Sequence, residues 1–200
     1  MFTNNYLKLC KNKGFMKLFF VTGNKHKVQE INLMLGKKVK LIQKKMKIKE
    51  PKLDSIESIA KAKALQAFKK LKKPLIAEDT GVYFTALENF PGTEPKRVFE
   101  KIGFKGLLKK LEGKKRNAFF KTVICLVNEK GKTRIFTGIL KGKISEKVFL
   151  EGKYVLPYEK IFVPQGKKKV LAFFSRKNKN KFSHRAKAAK KLKKFLEKIN

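Results

Sequence analysis

Tryptophan is absent from this chain, and cysteine and histidine each occur twice. Aspartate is as scarce, at Asp54 and Asp79 alone. Cys10 and Cys125 make neither a metal-ligand spacing nor a disulfide framework, which excludes a disulfide-stapled scaffold and leaves a reducing cytoplasm as the expected compartment. No apolar run approaches the roughly 20 residues needed to cross a bilayer, so no membrane span is expected. The first fifteen residues are basic and polar without an apolar stretch, and they do not read as a secretory signal. Met16 directly precedes the first strand. Residues 1–15 are therefore expected to be an extension outside the fold, with 16–200 as the folded domain.

What is abundant is lysine. The formal net charge is +37, in 200 residues that are 42% hydrophobic and carry 18 phenylalanines. That apolar content is ample for a core, in one domain or one domain with two lobes. The charge invites nucleic-acid binding, since dense lysine drives phosphate attraction. The pattern makes such binding non-specific. Lysines run along the whole chain, arginine is confined to Arg97, Arg116, Arg134, Arg176 and Arg185, and no aromatic-rich RNA-binding signature occurs.

Apolar periodicity predicts a strand at 18–21 and a helix over 26–36, then extended segments near 39–43 and 46–49. Asp54-Ser-Ile-Glu57 resembles a capping box and opens a helix over about 55–72, which Pro74 ends. Leu75-Ile76-Ala77 reads as a short buried strand with Glu78-Asp79-Thr80-Gly81 at its C-terminal end. Phe90-Pro91-Gly92 reads as a turn, Pro95 as a helix start, and Gly103 and Gly106 punctuate before a short helix ending near Leu111. Strands are expected at 117–127, 133–141, 143–149, 160–163 and 169–174, with a hairpin turn at 128–131. Ser183 is read as the cap of a last helix with Ala188, Ala189, Leu192 and Phe195 inward. Alternating strands and helices followed by antiparallel strands give an α/β class with a mixed sheet.

Three islands carry chemistry. The first is Thr22-Gly23-Asn24 with Lys27. A strand–turn–helix junction aims backbone N–H groups and a helix dipole at an anion, Thr22 and Asn24 add polar side chains, and Lys27 adds an ammonium. An ordinary strand–helix turn with a solvated lysine has the same sequence pattern. The second is Glu78-Asp79-Thr80-Gly81: a carboxylate at a sheet's C-terminal edge can bind Mg²⁺ or activate a water. The plain alternative is an acid pair capping the next helix. The third is Lys179-Asn180 with Ser183-His184-Arg185, where His and Arg at a helix start can donate to ligand oxygens. A capping serine with two solvated basic neighbours would look alike.

In order, the three islands resemble the inosine triphosphate pyrophosphatase family, which hydrolyses non-standard purine nucleoside triphosphates. The resemblance covers roughly 16–200. The family's Thr-x-Asn-x-x-Lys matches Thr22, Asn24 and Lys27. Its Glu-Asp-Ser/Thr-Gly matches Glu78 to Gly81, followed by Phe90-Pro91-Gly92, and its Lys-Asn…Ser-His-Arg matches Lys179, Asn180, Ser183, His184 and Arg185. Gly138 and Gly142 fall where the family has strand glycines.

The resemblance implies an elongated mixed β-sheet flanked by helices, two lobes with a central cleft, and a homodimer. It implies Mg²⁺-dependent hydrolysis of ITP, dITP and XTP to the monophosphate and pyrophosphate. It assigns the triphosphate to Thr22, Asn24 and Lys27, with Gly23 and Thr80 as further substrate-binding residues; Asp79 would bind the metal or serve as catalytic base, Glu50 would be the second metal carboxylate, and Lys27 would act in catalysis by offsetting charge on the leaving group. Lys179, Ser183, His184 and Arg185 would line the base pocket. A pocket of donors favours a 6-oxo purine, because adenine's amino group would be left unpaired at roughly 1–3 kcal/mol.

Two stretches depart from the family. Its Gly-Phe-x-Tyr/Trp-Asp segment is Val155-Leu156-Pro157-Tyr158-Glu159 here, so Leu156 stands for the stacking phenylalanine while Tyr158 is kept and Glu159 replaces Asp. After Pro91-Gly92, Glu94-Pro95 stands where the family has Tyr-Ser. The reading from a different class is a basic nucleic-acid-binding protein on an inactive pyrophosphatase scaffold. A related Maf-like pyrimidine triphosphate pyrophosphatase is disfavoured by Ser183-His184-Arg185.

Overall fold

The computed structural model describes residues 11–12, 15–49, 51, 53–150 and 155–199. In order these form β1 (Lys11–Asn12), β2 (Phe15–Val21), α1 (Lys25–Leu35), β3 (Val39–Lys44), α2 (Ile56–Leu71), β4 (Leu75–Phe84), β5 (Phe90–Gly92), α3 (Pro95–Lys109), β6 (Asn117–Val127), β7 (Thr133–Ile144), β8 (Phe162–Pro164), α4 (Arg176–Phe182) and α5 (His184–Lys198). The sheet runs β1-β2-β4-β6-β7-β8, with β3 on β2 and β5 on β4. β2 pairs in parallel with β3 and β4, while β4–β5 and β7–β8 are antiparallel. The class is thus α/β with a mixed sheet, as the alternation of elements predicts. No helix among the described residues is long and apolar enough to cross a membrane.

The chain divides into two compact units. Unit 1 holds residues 1–79, 122–138 and 185–200, and unit 2 holds 80–121 and 139–184. Unit 1 is built on parallel crossovers. Successive residues of β4 and β6 serve opposite faces, as strand geometry requires. Ile76, Ile124 and Leu126 pack with Leu18, Phe20, Ile31 of α1, and Ala188, Ala189 and Leu192 of α5. Leu75, Ala77, Val123, Cys125 and Val127 pack instead against the alanine stripe Ala60, Ala64 and Ala67 of α2. Burial pushes the Cys125 thiol up to about 12, against a smaller opposing influence of the Lys61 ammonium.

Unit 2 has its own core of Val82, Phe84, Leu107, Phe120, Leu140, Ile144, Tyr158, Ile161 and Phe162. Pro95 occupies the first turn of α3, where its missing N–H costs nothing. Gly103, at φ +56°, interrupts that helix.

Several expectations are corrected. β4 continues through Glu78–Gly81 to Phe84 rather than ending at Ala77, because antiparallel pairing with β5 supplies hydrogen bonds to its second half. The cap of α2 is Ser55, not Asp54: its Oγ accepts the Ser58 N–H at 3.1 Å. Residues 45–49 form no strand. β7 is one strand over 133–144 and leaves 145–149 irregular, and a 3₁₀ turn at Leu171–Phe173 replaces the strand expected at 169–174. The hairpin at 128–131 forms as expected: Asn128 Oδ1 accepts the N–H groups of Lys130 and Lys132 at 3.0 and 2.9 Å.

Candidate active site

The turn between β2 and α1 is shaped by its own side chains. Thr22 Oγ1 accepts the Asn24 N–H at 3.1 Å, and Asn24 caps α1 by accepting the N–H groups of His26 at 2.9 Å and Lys27 at 3.3 Å. Gln43 donates to the Thr22 carbonyl at 3.0 Å, tying the turn to β3. Gly23 is exposed, with nothing within 4 Å of where a Cβ would stand. No acid occupies the first turn of α1, so the positive end of the helix dipole is not offset locally.

β4 carries the acid pair past the point where β2 ends. Val21, the last residue of β2, pairs with Ala77, and Glu78 and Asp79 follow at once. Alternation along the strand sends the two carboxylates to opposite faces. Glu78, its side chain fully buried, meets the Lys27 ammonium at 2.5 Å, Arg185 Nε at 3.3 Å and the Thr122 hydroxyl at 3.4 Å. Arg185, also buried, places Nη1 2.6 Å from Glu30 on α1. Lys27, Glu78, Arg185 and Glu30 thus form one network of alternating charge, in which each ion has an opposite neighbour. Asp79 lies toward α2 and accepts from the Lys63 ammonium at 2.9 Å, in a partly exposed setting.

Unit 2 holds the remaining motif residues except Arg185. Glu159 and Lys179 form a mostly buried ion pair at 2.8 Å. His184 is buried and stacks on Phe120, centroids 4.7 Å apart at 16°. Ser183 is buried at the junction of α4 and α5. Thr80 is half-buried on β4. Tyr158 is buried edge-on to Phe84 and Phe99, and its hydroxyl donates to the Pro95 carbonyl at 2.9 Å; burial raises its phenol above the ordinary range. Leu156 is 44% exposed.

The structure therefore joins Lys27 with Glu78 and Arg185, and Lys179 with Glu159. Arg185 belongs to unit 1 and His184, its neighbour on α5, to unit 2. Sequence reasoning missed Glu30, Lys63 and Thr122. Glu30 lies three residues after Lys27 on the same helical face, a spacing that was available as a signal. Lys63 is one of many lysines and has no local mark.

Among the described residues no three His, Cys, Asp or Glu side chains gather as a metal cage. Glu50 lies outside the described residues. Among the described residues, the partly exposed carboxylate of Asp79, shared with Lys63, suits a hard cation of the magnesium kind, which is held by one or two carboxylates together with phosphate oxygens and water.

The chain is similar to known proteins over nearly its whole length. The chain is 39% identical over 184 residues to a protein of Hyperthermus butylicus named dITP/XTP pyrophosphatase, covering 90% of this chain and 94% of the relative. It is 36% identical to a protein of the same name from Saccharolobus solfataricus, covering 98% and 91%. Among solved structures it is similar to the Staphylococcus aureus Ham1 protein, with a TM-score of 0.79 at 25% identity over 92% of this chain and 100% of that one. A Coxiella burnetii HAM1 protein matches with a TM-score of 0.77 at 26% identity, over 91% and 98%. The model of the Ham1 family matches residues 18–195, and the chain belongs to that family.

Proposed function

We propose that this chain is a Mg²⁺-dependent nucleoside triphosphate pyrophosphatase. It hydrolyses dITP, XTP and ITP to the monophosphate and pyrophosphate, with residues 16–200 as the catalytic domain. The observation that carries the reading is the division of labour on β4: Glu78 is locked into the Lys27–Arg185 network, and Asp79 on the other face stays partly exposed beside Lys63. The dITP/XTP pyrophosphatase names of the relatives support the same class.

The turn Thr22-Gly23-Asn24 and Lys27 hold the triphosphate, with the open space at Gly23 admitting phosphate oxygens close to the backbone. Asp79, with Glu50, would hold the metal, which when bound offsets charge on the phosphates. Water attacks the α-phosphorus, the bond to the bridging oxygen of the β-phosphate breaks, and pyrophosphate leaves. Lys27 offsets charge that develops on the leaving group. Lys179, His184 and Arg185 favour the 6-oxo edge of the base, with Leu156 giving an aliphatic contact surface and Glu159 fixing the Lys179 ammonium.

The test is pyrophosphate release from dITP, XTP, ITP, GTP and ATP, with Mg²⁺ and after chelation. Turnover of dITP, XTP and ITP ahead of GTP and ATP, lost on chelation, is expected. Folded protein that turns over none of them would sink the enzyme reading.

A further inference from the structure

One concavity belongs to none of the three motifs. Within unit 2, a cavity of about 690 Å³ opens among the start of β6, the second half of β7, β8 and the turn after it. Sites for small organic ligands fall at about 300–1,000 Å³. Its charged lining is Lys141, Lys143 and Lys167, with no carboxylate among the described lining residues. Asn117 and Gln165 contribute amides and Phe119 a ring.

The walls are held in place. A Cβ on Gly142 would fall 2.3 Å from the Val163 carbonyl oxygen and 2.6 Å from the Phe162 ring, so only glycine lets β7 and β8 approach this closely. The Gln165 N–H donates to the Lys141 carbonyl at 2.9 Å, and the Lys167 N–H to the Pro164 carbonyl at 3.0 Å. Gly166, at φ +72°, faces open space, which leaves the backbone of the turn approachable. Phe119 is stacked on Tyr83, centroids 4.7 Å apart at 9°, so the ring is oriented before any ligand arrives. Lys167 rests with its ammonium 5.4 Å from the centroid of Phe182. Lys141 and Lys143, both exposed, stand two residues apart on one face of β7, where their like charges repel.

Three cations without a lining counter-charge, beside a fixed ring and two amides, match an anion joined to a flat base. We propose that this cavity is a second, non-catalytic site for a nucleoside phosphate. The lysines take the phosphate, Phe119 the base, and Asn117 and Gln165 its polar edge. This inference stands whether or not the chain is a pyrophosphatase.

The experiment is calorimetric titration of the full chain with AMP, adenosine and inorganic phosphate, repeated on Lys141→Glu/Lys143→Glu, with dITP turnover measured on both proteins. AMP is the probe because its 6-amino base suits the proposed catalytic pocket poorly. The expected result is AMP binding tighter than either fragment, weakened about tenfold or more in the double variant, with turnover unchanged. No AMP binding, unchanged affinity in the double variant, or phosphate binding as tightly as AMP would overturn the proposal. Should the double variant fail to fold, Lys141→Ala and Lys143→Ala are read the same way.

Discussion

The two units handle their motif residues differently. In unit 1, Lys27, Glu78, Arg185 and Glu30 form a chain of ion pairs, and Glu78 and Arg185 are buried. Removing one member strands a buried charge. In unit 2, His184 rests on a phenylalanine, Tyr158 is held by rings and one hydrogen bond, and Leu156 is exposed. Outside the mostly buried Glu159–Lys179 pair, changes at these residues disturb packing rather than strand an ion. The departures from the family pattern, Leu156, Glu159 and Glu94-Pro95, all fall in unit 2.

The sharpest way to break this contrast is in unit 1. Asp79→Asn should lower kcat by about a hundredfold to a thousandfold, while circular dichroism stays native because the side chain is partly exposed. Pyrophosphate release measures the first and an unfolding curve the second. If activity survives, the assignment of Asp79 fails.

Next in size is Glu78→Gln, which leaves Lys27 and Arg185 facing a neutral amide. It should cost about 3–5 kcal/mol in urea denaturation. Glu94→Gln, which removes the exposed partner of Arg97 in unit 2, should cost less than about 1 kcal/mol. Equal losses would erase the difference between the units.

Leu156→Phe sharpens the comparison from the other side. Restoring a ring should lower the KM for dITP by roughly three- to tenfold with little change in kcat. An unmoved KM would remove Leu156 from the base surface.

The smallest effect is at Cys125. In a Cys10→Ser background, its thiol should resist alkylation at pH 8 in the native protein and react in urea. Its value is raised from 9.0 to about 12, so the thiol is neutral in the fold and its contribution to stability is present below about pH 9 and lost as pH climbs through about 12. Rapid native labelling would show that the α2 face of the sheet opens readily.

Periodicity made α1, α2, α5 and the hairpin legible, because each has a long apolar repeat or a turn with strong side-chain chemistry. The length of β4 was hidden, since two acids inside a strand read as its end until the pairing with β5 is known. The isolated segments 46–49 and 145–149 have strand-like composition but no partner strand among the described residues. Motif spacing singled out Thr22, Lys27, Asp79 and Lys179 as candidates. It did not reveal that Arg185 reaches 107 positions back to Glu78, because such long-range pairs leave no local trace.

β4 also works as a parity device. Odd positions 75, 77 and 79 go to one side and even positions 76 and 78 to the other. Gaining or losing one residue between Leu75 and Glu78 would exchange the two carboxylates, giving Asp79 to the buried arginine and Glu78 to α2. Substitutions can drift slowly along this strand, but its reading frame is locked. An insertion or deletion in the loops before or after β4 leaves both carboxylates on their present sides.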